Sequence, residues 1–442
     1  MASSKRPTCA DLAPSLEQFL DRLPAIPGRL AVGLSGGLDS VVLLDLLANA
    51  APGRGIVLSA VHVHHGLSPQ ADAWAEFCRQ LCRGYGIPCR VRQVAVPRDS
   101  GLGTEAAARA ARYAALLAED CDALALAHHR DDQAETLLLQ LLRGAGLPGL
   151  SAMPEQRPLA GRQLLRPLLD LPRSRLAAYA AERGLRWVED ESNLDTGYDR
   201  NFLRHDILPR LESRFPAARQ TLARSAAHLA EAAELLQQYA EQDLARCVVD
   251  GRLDLGLLAS YAPARARHLL RCWLAPQLRH LPSTHRLQDI QQQLLGARLD
   301  AQLRIVLEGW LLRRYRGWAW LAPAEAGEPQ QAIWQGEASL PFGGGTLRFS
   351  NTTGGGLSLA RLGGEPLLIR TRQGGESLRP QAGRPQRSLK YLLQQAAVPP
   401  WQRPRLPLVY WRGQLVAVPG IAVDSDLQAG KDEQGLLVSW QA

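Results

Sequence analysis

Ser35-Gly36-Gly37-Leu38-Asp39-Ser40 stands where an apolar run suited to a strand (30–34) gives way to one suited to a helix (41–44). Two adjacent glycines let the backbone approach an anion and expose successive N–H groups, and the flanking serines add hydroxyl donors. The helix that follows turns its positive end on the same point. All six residues are therefore expected to cradle phosphate. No lysine follows in G-x-x-x-x-G-K-[ST] spacing, so γ-phosphate transfer of the kinase or GTPase kind is not supported, and Gly33 with Gly36 does not complete G-x-G-x-x-G.

The hexapeptide resembles the PP-loop of ATP pyrophosphatases, enzymes that split ATP between the α and β phosphates and adenylate a carbonyl oxygen. The surrounding pattern suits that resemblance. Strands are expected over 30–34, 57–63, 91–96 and 123–127, alternating with helices over 39–50, 69–85, 104–119 and 131–143. Such alternation implies βαβ crossovers and an α/β, doubly wound parallel sheet, with ligands beyond the carboxyl ends of its strands.

A chain of 442 residues exceeds one ordinary core. The expected division is a PP-loop domain over 1–215, a helical domain over 216–325, a Gly/Pro-rich linker over 326–365 and a small α+β domain over 366–442. No run of 18 apolar residues is present, and Asp11, Glu17 and Asp21 do not suit a secretory signal, so a cytoplasmic protein with no membrane partner is expected. Seven scattered cysteines without C-x-x-C give neither a disulfide framework nor a zinc ribbon. The net charge of +8 points to a polyanionic partner, although only three lysines among 51 basic residues suggest that genomic base composition contributes to the excess.

Each strand end carries polar residues. His62 and His64 share a strand face, yet no carboxylate follows at metal spacing; ring donors against the nucleotide are the preferred reading, with His62 as the nucleotide contact. Arg109 and Arg112 lie on one face of the 104–119 helix. His128, Asp132 and Glu135, at i, i+4 and i+7, are expected to form a polar stripe. Asp39 and Asp132 are the expected Mg²⁺ ligands alongside ATP phosphates, since hard cations take carboxylate and phosphate oxygens. His128 or Glu135 is expected to handle the proton of an attacking amine. Arg200, Asn201 and Arg204, in a dense polar run after Asp190, are expected to anchor an amino acid and an RNA phosphate.

Taken in order, the PP-loop, His62-Val63-His64-His65-Gly66-Leu67, Glu105-Ala106-Ala107-Ala108-Arg109, the stretch from His128 to Thr136, the stretch from Arg143 to Ser151, the run from Asp190 to Asn193, Arg200 to Arg204, Pro399-Pro400-Trp401 and the run containing Gly420 resemble the tRNA(Ile)-lysidine synthetase family. That resemblance implies a catalytic set of Asp39, Arg109, His128, Asp132 and Glu135. It also implies adenylation by ATP of the C2 oxygen of the wobble cytidine in a CAU-anticodon tRNA(Ile), followed by displacement of AMP by the ε-amine of L-lysine. His64 stands where many family members carry Asp, so no role of that carboxylate carries over.

Eight basic residues against Glu376 alone between 370 and 405, interleaved with Tyr391 and Trp401, independently favour RNA contact, with Arg379, Arg384, Arg387 and Lys390 as expected tRNA ligands. A tRNA-thiolating PP-loop enzyme is the alternative, but suitably paired cysteines are lacking. An RNA-binding protein with a decayed nucleotide site is disfavoured by intact Ser35, Asp39, Asp132 and Glu135. A homodimer is compatible with the sequence, which leaves oligomeric state open.

Overall fold

The computed structural model describes residues 12–66, 68–95, 104–298, 303–324 and 330–441; Leu67, Val96 and the Glu105 side chain lie outside that description. The chain divides into two compact units, Met1–Tyr239 and Ala240–Ala442.

The first unit is built on a sheet of order β3-β2-β1-β4-β6-β5, comprising β1 (Arg29–Gly33), β2 (Val57–His64), β3 (Cys89–Gln93), β4 (Ala123–Ala125), β5 (Gln156–Leu159) and β6 (Arg162–Leu165). Every pairing is parallel except β5 with β6. Helices α1 (Leu12–Asp21), α2 (Leu38–Ala50), α3 (Ala71–Gly84), α4 (Thr104–Leu117) and α5 (Arg130–Leu142) accompany these strands. Period-two alternation sends Leu30 and Val32 of β1 into one core, with α1 and α2, and Ala31 into a second core with Val61, Leu116, Leu124 and Leu164. A strand buried on both faces is what a doubly wound sheet requires. From β1 the chain first steps outward to β2 and β3, then returns to place β4 on the other side of β1. That reversal makes the end of β1 the topological switch point, and the Ser/Gly hexapeptide begins immediately after it.

The β5–β6 hairpin was not anticipated. Gln156-Arg157-Pro158-Leu159 is polar and contains Pro158, which a strand tolerates at a sheet edge, where β5 lies.

In the stretch expected to be helical, Ala218–Cys247, Leu255–Ser260, Pro263–Leu274 and Thr284–Gly296 are helices, but it ends in antiparallel strands Arg304–Leu307, Trp310–Tyr315 and Trp318–Pro323. The stretch expected as a linker is largely strand. Gln331–Trp334 pairs with Leu367–Arg370, while Gly345–Thr353 pairs with Ser339–Phe342 and with Gln434–Gln441. Gly343 and Gly344, at φ +66° and +82°, make a hairpin turn rather than a flexible tether. The helix Leu389–Gln395 and strands Leu408–Trp411 and Gln414–Val418 complete an α+β module. Among the described residues no helix is long and apolar enough to cross a membrane.

Candidate active site

The hexapeptide folds as a turn closed by its own hydroxyls. Gly36 N–H donates to Ser40 Oγ at 3.1 Å, Gly37 N–H to Ser35 Oγ at 3.3 Å, and Ser40 Oγ donates to the Gly37 carbonyl at 2.9 Å. Gly36 has φ +88°, and a Cβ there would come within 2.9 Å of Val188 Cγ2 and 3.2 Å of Cys78 Sγ, so only glycine fits. An entering phosphate would exchange these internal bonds for its own oxygens. Leu38 buries its side chain and can offer only backbone.

A cavity of about 620 Å³ opens beside the turn, in the range of nucleotide-sized sites. Ser35, Asp39 and Ser40 line it together with His62, Arg109, Arg112, His128, Asp132, Arg200, Asn201 and Arg204. The strand-end and loop residues separated by the sequence thus meet at one place. A smaller chamber of about 210 Å³ shares Arg109, Arg112 and His128 and adds Tyr113.

His62 is buried, with Nδ1 2.9 Å from the Leu34 carbonyl and 3.4 Å from Cys78 Sγ, and burial pushes its pKa down. It therefore braces β1 against β2 as well as lining the cavity.

His128 departs from the expected helical stripe. Helix α5 begins at Arg130, so His128 lies in the segment between β4 and α5, and only Asp132 and Glu135 share a helix face. Burial drives the His128 pKa down to about 3. Its Nδ1 accepts a hydrogen bond from Arg166 Nε at 3.2 Å, so the neutral ring carries its proton on Nε2. It offers a donor, not a base. Its unfolded counterpart titrates near 6.5, so the unfolded chain binds more protons between about pH 3 and 6.5. This group's contribution to stability is therefore complete above that window and lost on acidification, by about 1.4 kcal/mol per pH unit. His128→Asn should flatten the pH dependence of the thermal midpoint between pH 6.5 and 4.5; an unchanged slope would assign the acid sensitivity elsewhere.

Glu135 and Asp132 are both buried and are met by two guanidiniums. Arg200 Nε donates to Glu135 Oε2 at 2.8 Å and Arg204 Nε to Glu135 Oε1 at 2.6 Å, while a terminal nitrogen of each lies 3.1–3.2 Å from Asp132 Oδ1. The other Asp132 oxygen accepts the His129 backbone N–H at 3.0 Å. Burial alone would raise the Asp132 pKa, but the cationic surroundings, His129 and Arg200 foremost, hold it at about 2. Two expectations change. Arg200 and Arg204 neutralise carboxylates here instead of standing open for substrate, and Glu135, with both oxygens accepting from guanidiniums, is not free to act as a base. The physical cause is that buried carboxylates need close counter-charge. Asn201 likewise turns inward, its amide donating to the Ser192 and Asp195 carbonyls at 2.8 and 2.9 Å.

His129 was missed. Its Nε2 lies 3.6 Å from Asp39 Oδ2 and 3.5 Å from Asp132 Oδ2, bridging the PP-loop and α5. Burial by itself lowers its pKa, but the neighbouring carboxylates, led by Asp39, outweigh this and raise it. The doubled His128-His129 ahead of Asp131-Asp132 was the available signal. Among the described residues Asp39 Oδ1 has no hydrogen-bond partner, and Arg173 Nε lies 3.6 Å from it.

In the second unit, Arg379 lies 3.3 Å from Asp426, Arg387 stacks on Tyr391 at 4.8 Å, and Arg384 and Lys390 are exposed.

Comparison with known proteins matches residues 10–211 to a PP-loop domain, 253–320 to the TilS substrate binding domain and 367–440 to the TilS substrate C-terminal domain. The tRNA(Ile)-lysidine synthase of Nitrosomonas europaea is 46% identical over 100% of this chain and 98% of its own. The chain belongs to the tRNA(Ile)-lysidine synthase family. The proteins of that name from Azoarcus sp. (45% identical, 93% of this chain and 91% of theirs) and Coxiella burnetii (38%, 98% and 97%) are similar over comparable lengths. Membership favours a tRNA-modifying ligase with an ATP-binding PP-loop domain over the thiolation alternative.

Proposed function

We propose that this enzyme ligates L-lysine to C2 of the wobble cytidine in a CAU-anticodon tRNA(Ile), through an adenylated cytidine, giving lysidine, AMP and pyrophosphate in the cytoplasm. The observation that carries the reading is the full-length likeness to lysidine synthases, joined to a cavity where the PP-loop meets Asp39, Asp132 and His128.

ATP phosphates would lie against the hexapeptide, whose N–H groups and serine hydroxyls are released to them. Mg²⁺ fits at Asp39, whose Oδ1 is unpartnered; Asp132 would have to share oxygens already accepting from arginine and backbone. Among the described residues no group of three His, Cys, Asp or Glu side chains could hold a metal, so phosphates would supply much of the coordination. The ion would offset pyrophosphate charge. The His128 Nε2–H is suited to hold a carbonyl oxygen of the base. Lysine must be neutral to attack, and Arg109 and Arg112, which line the cavity, disfavour its ammonium form by like charge.

The test is to incubate the protein with ATP, Mg²⁺, lysine and the CAU-anticodon isoleucine tRNA and weigh the digested nucleosides. Cytidine enlarged by lysine minus water, absent with methionine tRNA, is expected. Unmodified cytidine alongside AMP and pyrophosphate would overturn the substrate assignment.

A further inference from the structure

Strands β4 and β6 run parallel, with Ala125 opposite Leu165, and the Leu126 N–H donates to the Leu165 carbonyl at 2.9 Å. The chain leaves both strands at the same, ligand-facing edge of the sheet, so His128 after β4 and Arg166 after β6 meet there. His128 lines the large cavity and the smaller chamber, whereas Arg166 lines neither and reaches only the ring behind them.

Arg166 is 2% exposed, yet among the described residues it makes no ion pair with a carboxylate. Burial depresses its pKa, and Arg157 and Arg109 add like charge. Backbone oxygens hold it instead. Its N–H donates to the Glu155 carbonyl at 2.8 Å and its Nη1 to the Pro154 carbonyl at 2.7 Å. Met153, in the same segment, exchanges two hydrogen bonds with the Gln133 side chain of α5, at 2.7 and 2.9 Å. A guanidinium buried without counter-charge is costly, and this one directs its Nε–H at an imidazole nitrogen.

A guanidinium carries five N–H donors, no acceptor and no accessible neutral form. Whatever faces it must accept, so His128 Nδ1 keeps its lone pair and Nε2–H is what the ring can offer to the cavity. A carboxylate in the same place would accept from Nδ1–H and leave Nε2 as a base, the polarity of Ser-His-Asp triads. Arg166 gives the reverse polarity.

We infer that Arg166 is a positioning residue for the reaction: without reaching the substrates, it fixes His128 as a hydrogen-bond donor to an oxygen in the cavity. The inference rests on the reaction proposed above. It also gives the β5–β6 hairpin a part in that reaction, since the hairpin and the segment before it hold the guanidinium.

The test begins with full-length protein labelled with nitrogen-15 in histidine, at neutral pH, the His128 signals being those lost in His128→Ala. A protonated Nε2 and an unprotonated Nδ1 are expected. A proton on Nδ1 would overturn the inference, whether or not any Arg166 variant folds. Lysidine formation is then followed around a double-mutant cycle. Arg166→Met is expected to lower kcat about tenfold with KM for ATP little changed, the size of effect typical of a residue that orients a reactive histidine. In a His128→Ala background the same substitution should change kcat by less than about twofold, because the two residues act as one unit. An equal fall in both backgrounds, or wild-type kcat in Arg166→Met, would overturn the inference and leave Arg166 a structural residue of the hairpin. A wild type with the expected ring protons that forms no lysidine would instead overturn the proposed reaction and leave the orientation of His128 standing.

Discussion

Glu135→Ala is expected to destabilise the first unit by about 3–5 kcal/mol, the cost of removing one partner from a buried ion-pair network. The Glu135 side chain has no exposed surface, while Arg200 and Arg204 are only 22% and 27% exposed. Removing it leaves two partly buried guanidiniums facing Asp132 alone, with their Nε donors unpaired. For a unit of this size the loss corresponds to a fall of roughly 10 °C in the thermal midpoint. Scanning calorimetry, which can separate the transitions of the two units, measures it. Glu135→Gln, which keeps the shape and part of the hydrogen bonding, should lie between wild type and alanine. A melt of Glu135→Ala matching wild type would mean that the arginines find other partners or water without penalty, and Glu135 would regain its candidacy as a reactive group.

This network also marks where sequence reading stopped. The strands and helices of the first unit were legible because apolar periodicity switches cleanly between two and 3.6, and because the hexapeptide needs a strand before it and a helix after it. Gathering at the switch point was legible for the same reason: each polar cluster follows a strand, and parallel strands end on one side. The pairing inside the cavity was not. Nothing in the spacing of Arg200 and Arg204 distinguishes a guanidinium waiting for substrate from one neutralising Glu135, some 65 residues away in the chain. His128 was placed on the helix because its spacing to Asp132 matches a turn, yet α5 begins two residues later and the ring points to Arg166. In the second unit, frequent glycine and proline between short apolar runs suggested a tether at 326–365. The same punctuation serves strands whose partners lie 81 to 95 residues away, as Thr353 does from Gln434 and Thr346 from Gln441, and local composition carries no trace of those partners.

Asp39→Asn separates chemistry from folding, because the two depend on different properties of this residue. Asp39 sits in the first turn of α2, where its charge complements the helix end and contributes about 0.3–1 kcal/mol. Its side chain is 30% exposed and its contacts with His129 and Arg173, both at 3.6 Å, are longer than hydrogen bonds, so the amide should fold with a nearly unchanged melt. Under the proposed reaction the same substitution removes a carboxylate beside the PP-loop whose Oδ1 has no hydrogen-bond partner among the described residues, and with it a full negative charge where pyrophosphate and its cation would meet. Loss of a preorganised electrostatic group at such a place costs about 10²–10³-fold in kcat. Tyr113→Phe gives the contrast: it removes a hydroxyl from the smaller chamber and no charge from beside the PP-loop, and should change the melt little. Pyrophosphate release measured against Mg²⁺ concentration decides the role of Asp39. A slow Asp39→Asn enzyme that extra Mg²⁺ partly restores places the cation on this carboxylate. A variant with wild-type turnover at every Mg²⁺ concentration removes Asp39 from the site of phosphate cleavage and leaves it a first-turn charge that complements the helix dipole.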